Sequence, residues 1–195
     1  MLNFSRILNK KFLFVFVFVL ILVVGGGFFW WNGNQKDVRE LNKNLPEGVR
    51  VMKSLIGNEY KVVNKIDGYE FKVPEEWNGI SKINYIPERI EGGYKIASIG
   101  LQGKDGKARI VTVASYKIEK LNGDLELWAK TMFNTFGLIG EFSKDRVGDL
   151  EIVKTQENEH LFGMYVYFLK KNSQIYTITC GSEEFIRYII ANGKW

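Results

Sequence analysis

The sequence has one cysteine, one histidine and three prolines in 195 residues. With Cys180 alone, no intramolecular disulfide can form, whatever the redox compartment. A single histidine means that any Ser-His or Cys-His nucleophile machinery must use His160. Neither a second histidine nor a second cysteine is present to complete a zinc set. Low-complexity linkers and internal repeats are absent, and no acidic residue occurs before Asp37. The most informative absence is charge between Phe12 and Trp31, where 20 consecutive residues read FLFVFVFVLILVVGGGFFWW.

About 20 apolar residues in a helix match the roughly 30 Å hydrocarbon core of a bilayer. Inside lipid every backbone amide must pair within the segment, so β-branched Val and Ile here read as helix. Arg6, Lys10 and Lys11 precede the run, and Trp30 and Trp31 close it. Basic flanks stay in the cytoplasm, and indole rings suit the headgroup interface. The expected topology is a cytoplasmic N-terminus (1–11), a single transmembrane anchor (12–31), a tether (32–48) and an extracytoplasmic body (49–195). A cleaved secretory signal is the competing reading, with 12–24 as its apolar region. It lacks an A-x-A cut site, and cleavage near Gly25 would leave an apolar Phe-Phe-Trp-Trp terminus. The missing cysteine after the run excludes a lipoprotein.

The formal charge is +5, of which Arg6, Lys10 and Lys11 supply three units, leaving 24 basic and 22 acidic residues beyond. The basic pI is therefore partly a topology signal. It is not the clustered footprint of a nucleic-acid binder, so no nucleic-acid partner is expected. The expected partners are the bilayer, through 12–31, and a protein.

Beyond the tether, patterning reads as strands joined by tight turns. A short helix is expected around Val38, Leu41 and Leu45, ended by Pro46 and Gly48. Runs 60–66 and 69–73 flank Asp67-Gly68, a two-residue hairpin signal of type I′. Tyr69, Phe71 and Val73 alternate with Glu70 and Lys72, Pro74 stops the strand, and Trp77 is expected to fold back onto the sheet. A short strand at 83–86 ends before Pro87. A second hairpin pairs 94–102 with 108–118, the latter covered on both sides. A helix over 124–136 starts on Asp124 and ends at Gly137, with Leu125, Trp128, Ala129, Met132, Phe133 and Phe136 as its core stripe. Strands follow at 150–155, 161–170 and 174–180. Ser182 then caps a terminal helix with Glu183 and Glu184 in its first turn. This order argues an α+β class: an antiparallel β-sheet flanked by helices, preceded by one N-terminal transmembrane helix.

The stretch Gly68-Tyr69-Glu70-Phe71-Lys72-Val73-Pro74-Glu75-Glu76-Trp77 is similar to the G-[YF]-x-[FI]-x-[VY]-P-x-x-W opening of PsbP-like domains. These are named for the P subunit of the photosystem II oxygen-evolving complex. The resemblance covers about residues 60–195, and its recognisable motif is those ten residues. It implies an antiparallel sheet between helices and a role as a binding or assembly subunit. It carries over no photosynthetic function and no metal or partner site, and the N-terminal anchor departs from the family.

Candidate chemistry is sparse. Glu157, Glu159 and His160 lie in a polar turn, where a solvated loop explains them without a metal. Gly100 to Lys107 superficially resembles a phosphate loop but lacks the Gly-Lys-Ser/Thr ending and leads into a strand. The carboxylate pairs Glu75-Glu76 and Glu183-Glu184 sit in a turn and a helix start. Lys104, Lys107, Arg109, Lys117 and Lys120 give a local basic bias, read as a solvated face or a surface for anionic lipid. Cys180 reads as a small buried residue on a strand. No catalytic, cofactor-binding or metal residue is assigned. The expected function is a non-enzymatic binding or assembly module. The alternatives are an envelope hydrolase or transferase using His160 or a carboxylate pair, and a sugar or lipid sensor built on exposed aromatics.

Overall fold

The computed structural model describes residues 15–21, 32–33, 35–54, 57–104, 110–118, 124–155 and 163–195. The chain forms two compact units, Met1–Glu40 and Leu41–Trp195. In the first, residues 15–21 are helical, and helix α1 (Lys36–Asn42) begins. Of the expected anchor, only 15–21 falls within the described residues.

The second unit is α+β, and every strand pairing in it is antiparallel. A three-stranded sheet comes first: β1 (Val49–Lys53), β2 (Tyr60–Asn64) and β3 (Tyr69–Val73). Its edge strand β1 is not free. The Asn42 amide donates to the Val51 carbonyl (2.9 Å), and its oxygen accepts from the Val51 N–H (2.7 Å). The end of the expected tether is thus built into the sheet, with one side chain imitating a neighbouring strand.

The β2–β3 hairpin forms, but its turn is not the expected two-residue type. Asn64 pairs with Tyr69, leaving four residues between them. Asn64 organises that loop. Its side-chain oxygen accepts from the N–H groups of Ile66 and Asp67, and its amide donates to the Asp67 carboxylate at 2.7 Å. Gly68 supplies the one positive φ, +79°. An Asn that satisfies loop amides outcompetes the tighter turn. After Pro74 a 3-10 turn (Glu75–Trp77) and Asn78 in the left-handed region reverse the chain.

A seven-stranded sheet follows, ordered β4-β5-β6-β10-β9-β8-β7. Strand β4 (Ile80–Glu91) is far longer than the expected 83–86 and runs through Pro87. Pro87 is tolerated for two reasons. β4 is an edge strand, and the proline falls in a bulge between Ile86 and Arg89, where no ladder bond is required of it. Gly92-Gly93 joins β4 to β5 (Tyr94–Gly103) with φ of +58° and +85°, the pair of positive angles that a type I′ turn demands.

Strand β6 (Ile110–Lys117) lies between β5 and β10, and Val113 to Tyr116 are all buried, as a strand covered on both faces requires. Helix α2 (Leu125–Thr135) then carries the chain toward the far edge, β7 (Phe142–Val147). Asp124 caps it by accepting from Leu127 N–H at 2.8 Å. At its end Leu138 N–H bonds to Phe133 O and Gly137 N–H to Asn134 O, with Gly137 at φ +69°, a Schellman closure. Three strands return in a meander: β8 (Leu150–Thr155), β9 (Tyr165–Lys171) and β10 (Gln174–Cys180). Helix α3 (Glu183–Ala191) is capped by Ser182.

Strand parity divides the large sheet's side chains between two faces. On one, α2 lays Trp128, Ala129, Met132 and Phe133 against Tyr116, Val153, Phe168 and Ile175. On the other lie Ile99, Val113, Tyr167, Leu169 and Ile178, and there α3 and the small sheet pack. Trp77 is 0 % exposed and stacks on Phe185 with ring centroids 4.1 Å apart. A Cβ at Gly103 would lie 3.0 Å from the Trp77 ring, so the indole needs a glycine beneath it. The last residue, Trp195, stacks near Tyr69 (5.7 Å) and Phe71 (6.3 Å) and meets Tyr176 edge-on. Lys194 exchanges both backbone bonds with Glu70, closing the β3 edge.

Trp77 Nε1 has no hydrogen-bond partner among the described residues, so its contribution is packing. Trp77→Ala is expected to destabilise the fold by about 3–5 kcal/mol, the usual cost of emptying a large aromatic site. The neighbouring exposed Glu75→Ala should stay within about 0.5 kcal/mol. Urea unfolding followed by circular dichroism measures both.

Candidate functional site

The apolar stretch carries the first candidate function. Phe12, Trp30, Trp31, Arg6, Lys10 and Lys11 lie outside the described residues. Within 15–21, all seven side chains are apolar, and exposure runs from 45 % at Val17 to 61 % at Ile21. A helical stretch that is apolar all round and uncovered suits a hydrocarbon environment and is costly in water. Among the described residues, no helix is long and apolar enough to cross a membrane.

The densest polar constellation lies where α3 crosses β7, β8 and β9. Lys154 donates to the Glu183 carboxylate at 2.8 Å, and Tyr167 donates its hydroxyl to the same oxygen. Arg187 bonds Asp145 at 2.5 Å and also reaches the Arg146 carbonyl at 3.3 Å. Lys154 lies 3.5 Å from Asp145, joining both pairs into one network. Parity explains the meeting: Asp145, Lys154 and Tyr167 fall on the same face of three neighbouring strands.

Each ionisable group in this network is driven away from neutral pH. The Lys154 and Tyr167 hydrogen bonds hold the Glu183 carboxyl below its ordinary value. Asp145 is held down by the Arg146 backbone N–H and by Arg187. The bond to Glu183 raises Lys154, and the bond to Asp145 raises Arg187. Burial, with Glu183 beside it, pushes Tyr167 up to about 12. General acid–base work needs values drawn toward the working pH. This network does the opposite and acts as a clamp between helix and sheet.

Glu75 and Glu76 are exposed on the 3-10 turn and Glu183 belongs to the clamp, but Glu76 and Glu184, one from each carboxylate pair, line a single pocket of about 240 Å³ with Pro74, Ser182, Phe185 and Tyr188. The remaining sequence candidates are scattered. His160, Glu157 and Glu159 lie outside the described residues, as do Lys107, Arg109 and Lys120. Cys180 is 2 % exposed on β10. Lys104 and Lys117 do not share a patch. Lys117 pairs with Lys95 at one end of β5, and Lys104 follows its other end, roughly 30 Å away at 3.3 Å per residue. Lys117 is bound to Glu88 at 2.6 Å. Trp77 and Trp128 are 0 % and 8 % exposed, so neither offers an open platform for a sugar or lipid ring.

Two grooves flank α2. One, about 1170 Å³ and widely open, lies between Leu127, Trp128 and Thr131 and the strand ends at Tyr94, Lys117 and Ser173. The other, about 340 Å³, has Met132, Phe133 and Phe136 as its wall and Ser98, Thr112, Thr177 and Thr179 as its floor. Among the described residues, no group of three or more His, Cys, Asp or Glu side chains is placed to hold a metal ion.

Sequence reasoning missed the clamp. Its only signal was charge in the segments FSKDRV and LEIVKT, and the partners lie 29 and 42 residues away along the chain. No family model matches the chain, and no curated protein matches it.

Stability should depend on acid through this clamp. A depressed carboxylate stabilises the fold above its unfolded-state value and loses that contribution as pH falls through its folded value. The midpoint of thermal unfolding is therefore expected to fall as pH drops below about 4, where an unfolded Glu protonates. In Glu183→Gln that acid-sensitive part should shrink, and the midpoint at pH 7 should be lower than that of the parent chain. Calorimetry of both proteins between pH 7 and 3 checks the two slopes.

Proposed function

We propose that the chain is a single-pass membrane protein whose N-terminus is cytoplasmic and whose 49–195 body stands outside as a non-enzymatic binding or assembly module. The observation that carries this reading is the uncharged run from Phe12 to Trp31, whose described part is a helical stretch with all seven apolar side chains uncovered. Basic residues on one flank and paired tryptophans on the other support the orientation. The module is a PsbP-like domain on this reading. Support comes from the way its motif residues are used: Tyr69, Phe71 and Val73 are buried at alternate positions, Pro74 ends the strand, and Trp77 packs back completely. The non-enzymatic reading is supported by a clamp whose ionisable groups are shifted away from neutrality. The partner on this reading is a protein of the envelope, and the bilayer itself holds 12–31.

Membranes from cells making the full chain test the anchor directly. Alkaline carbonate should leave the protein in the pellet and detergent should release it. Protease added to intact cells or spheroplasts should digest the C-terminal body. Release by carbonate alone, or a body protected until the membrane is opened, would overturn the topology.

A further inference from the structure

Among the described residues the two sheets have four edges, and three are closed by local devices. Asn42 takes both backbone groups of Val51 on β1. Lys194 takes both backbone groups of Glu70 on β3. On β7, Arg187 takes the Arg146 carbonyl, and three consecutive charged residues line the strand. Natural sheets guard their edges in these ways because an open row of N–H and C=O groups invites another strand.

The fourth edge, β4, has its guards, a bulge at either end with Pro87, Glu88 and Arg89, outside the window 82–86. Among the described residues it is the longest strand, 12 residues, and pairs only with β5. Among the described residues, no side chain or second segment takes a backbone group of 82–86 from the outer side. That window is the regular part of the strand, because the ladder to β5 is irregular between Ile80 and Lys82 and again between Ile86 and Arg89. Pro87 lies beyond it. Ile86 is 40 % exposed on this edge.

The geometry points to a second copy of this chain as the occupant, its own 82–86 pairing antiparallel about a two-fold axis at Asn84. The regular window is centred on Asn84, so this register alone lays the whole window on itself and keeps both bulges outside. It sets Ile83 opposite Tyr85 twice, a β-branched residue against an aromatic, a favourable cross-strand pair. Lys82 falls opposite Ile86, where its aliphatic stem covers the exposed isoleucine, and no like charges face each other. A two-fold contact of this kind is self-complementary and closed, so it ends at a dimer. Five paired residues make a smaller interface than the roughly 1,600 Å² of a standard complex. The dimer therefore rests on the proposed anchor, which raises the effective concentration of copies sharing a bilayer.

Cross-linking of the full chain in its own membranes tests this. Asn84→Cys is treated with a short bismaleimide. The parent chain, whose Cys180 is 2 % exposed, and Asn134→Cys on the exposed side of α2 serve as controls. Asn84→Cys should give a covalent dimer several-fold above both controls. Differently tagged Ile83→Cys and Tyr85→Cys copies made together should join to each other in preference to themselves. Membrane-bound protein with no excess dimer at position 84, or equal dimer at 84 and 134, overturns the edge pairing and leaves the anchor standing. Soluble protein that still links at 84 overturns the anchor and leaves the pairing. Soluble protein without the link overturns both.

Discussion

The second unit depends on one aromatic seam. Trp77 stacked on Phe185 ties the turn after β3 to helix α3. Trp195, against Tyr69, Phe71 and Tyr176, ties the end of the chain to the small sheet and to the centre of the large one. Without these contacts the three-stranded sheet has a single hydrophobic face and nothing to lay it on, and such a small sheet is marginal alone. Aromatic rings suit this duty because each buries a large area and a stacked or edge-on pair adds roughly 0.5–1.5 kcal/mol. Gly103 under the Trp77 ring and Gly193 beside the Trp195 indole show how closely the backbone approaches; a Cβ at 193 would sit 2.8 Å from the Ile189 carbonyl.

What could be read in the sequence was local. Asp124 and Ser182 cap the helices they were expected to cap, because an N-cap bond spans three residues and needs no tertiary information. The stripe of α2 is buried from Leu125 to Phe133 as its spacing demands, with Phe136 half-buried at the cap. Alternation in 69–73 gave the buried face of β3 correctly. In each case the physical cause lies within a few residues of the effect.

What could not be read depended on where a strand sits in its sheet. Pro87 stops a central strand but not an edge strand at a bulge, and nothing in ISKINYIPERIE says which it is. Strand β7 carries Lys144, Asp145 and Arg146 in a row, a composition that argues for a loop. Those charges are what an exposed edge needs, and they become legible only when Arg187 and Lys154 arrive from other elements. Asp67-Gly68 misled for a related reason. The dipeptide allows a type I′ turn, but Asn64 three residues before Asp67 offers its side chain to the loop amides, and the hairpin follows the better-satisfied backbone. Gly92-Gly93 adopts the turn that Asp67-Gly68 was expected to make.

The same distinction governs the functional reading. A catalytic constellation concentrates unsatisfied or mismatched groups and draws their titration toward the working pH. Here the clamp goes the other way. Glu183 is held down by Lys154 and Tyr167, Asp145 by the Arg146 backbone N–H and Arg187, and Lys154, Arg187 and Tyr167 are raised. Groups so matched resist change in charge, which rigidifies a scaffold and disfavours proton transfer. Other features are unmatched: buried Trp77 Nε1 and Ser115 Oγ lack a partner among the described residues, apolar side chains are exposed at 15–21, and no described residue takes the outer backbone groups of 82–86 on β4. On the proposed readings, lipid meets the exposed side chains of 15–21 and another strand meets 82–86. On the proposed reading, a scaffold clamped in this way presents its surfaces for association.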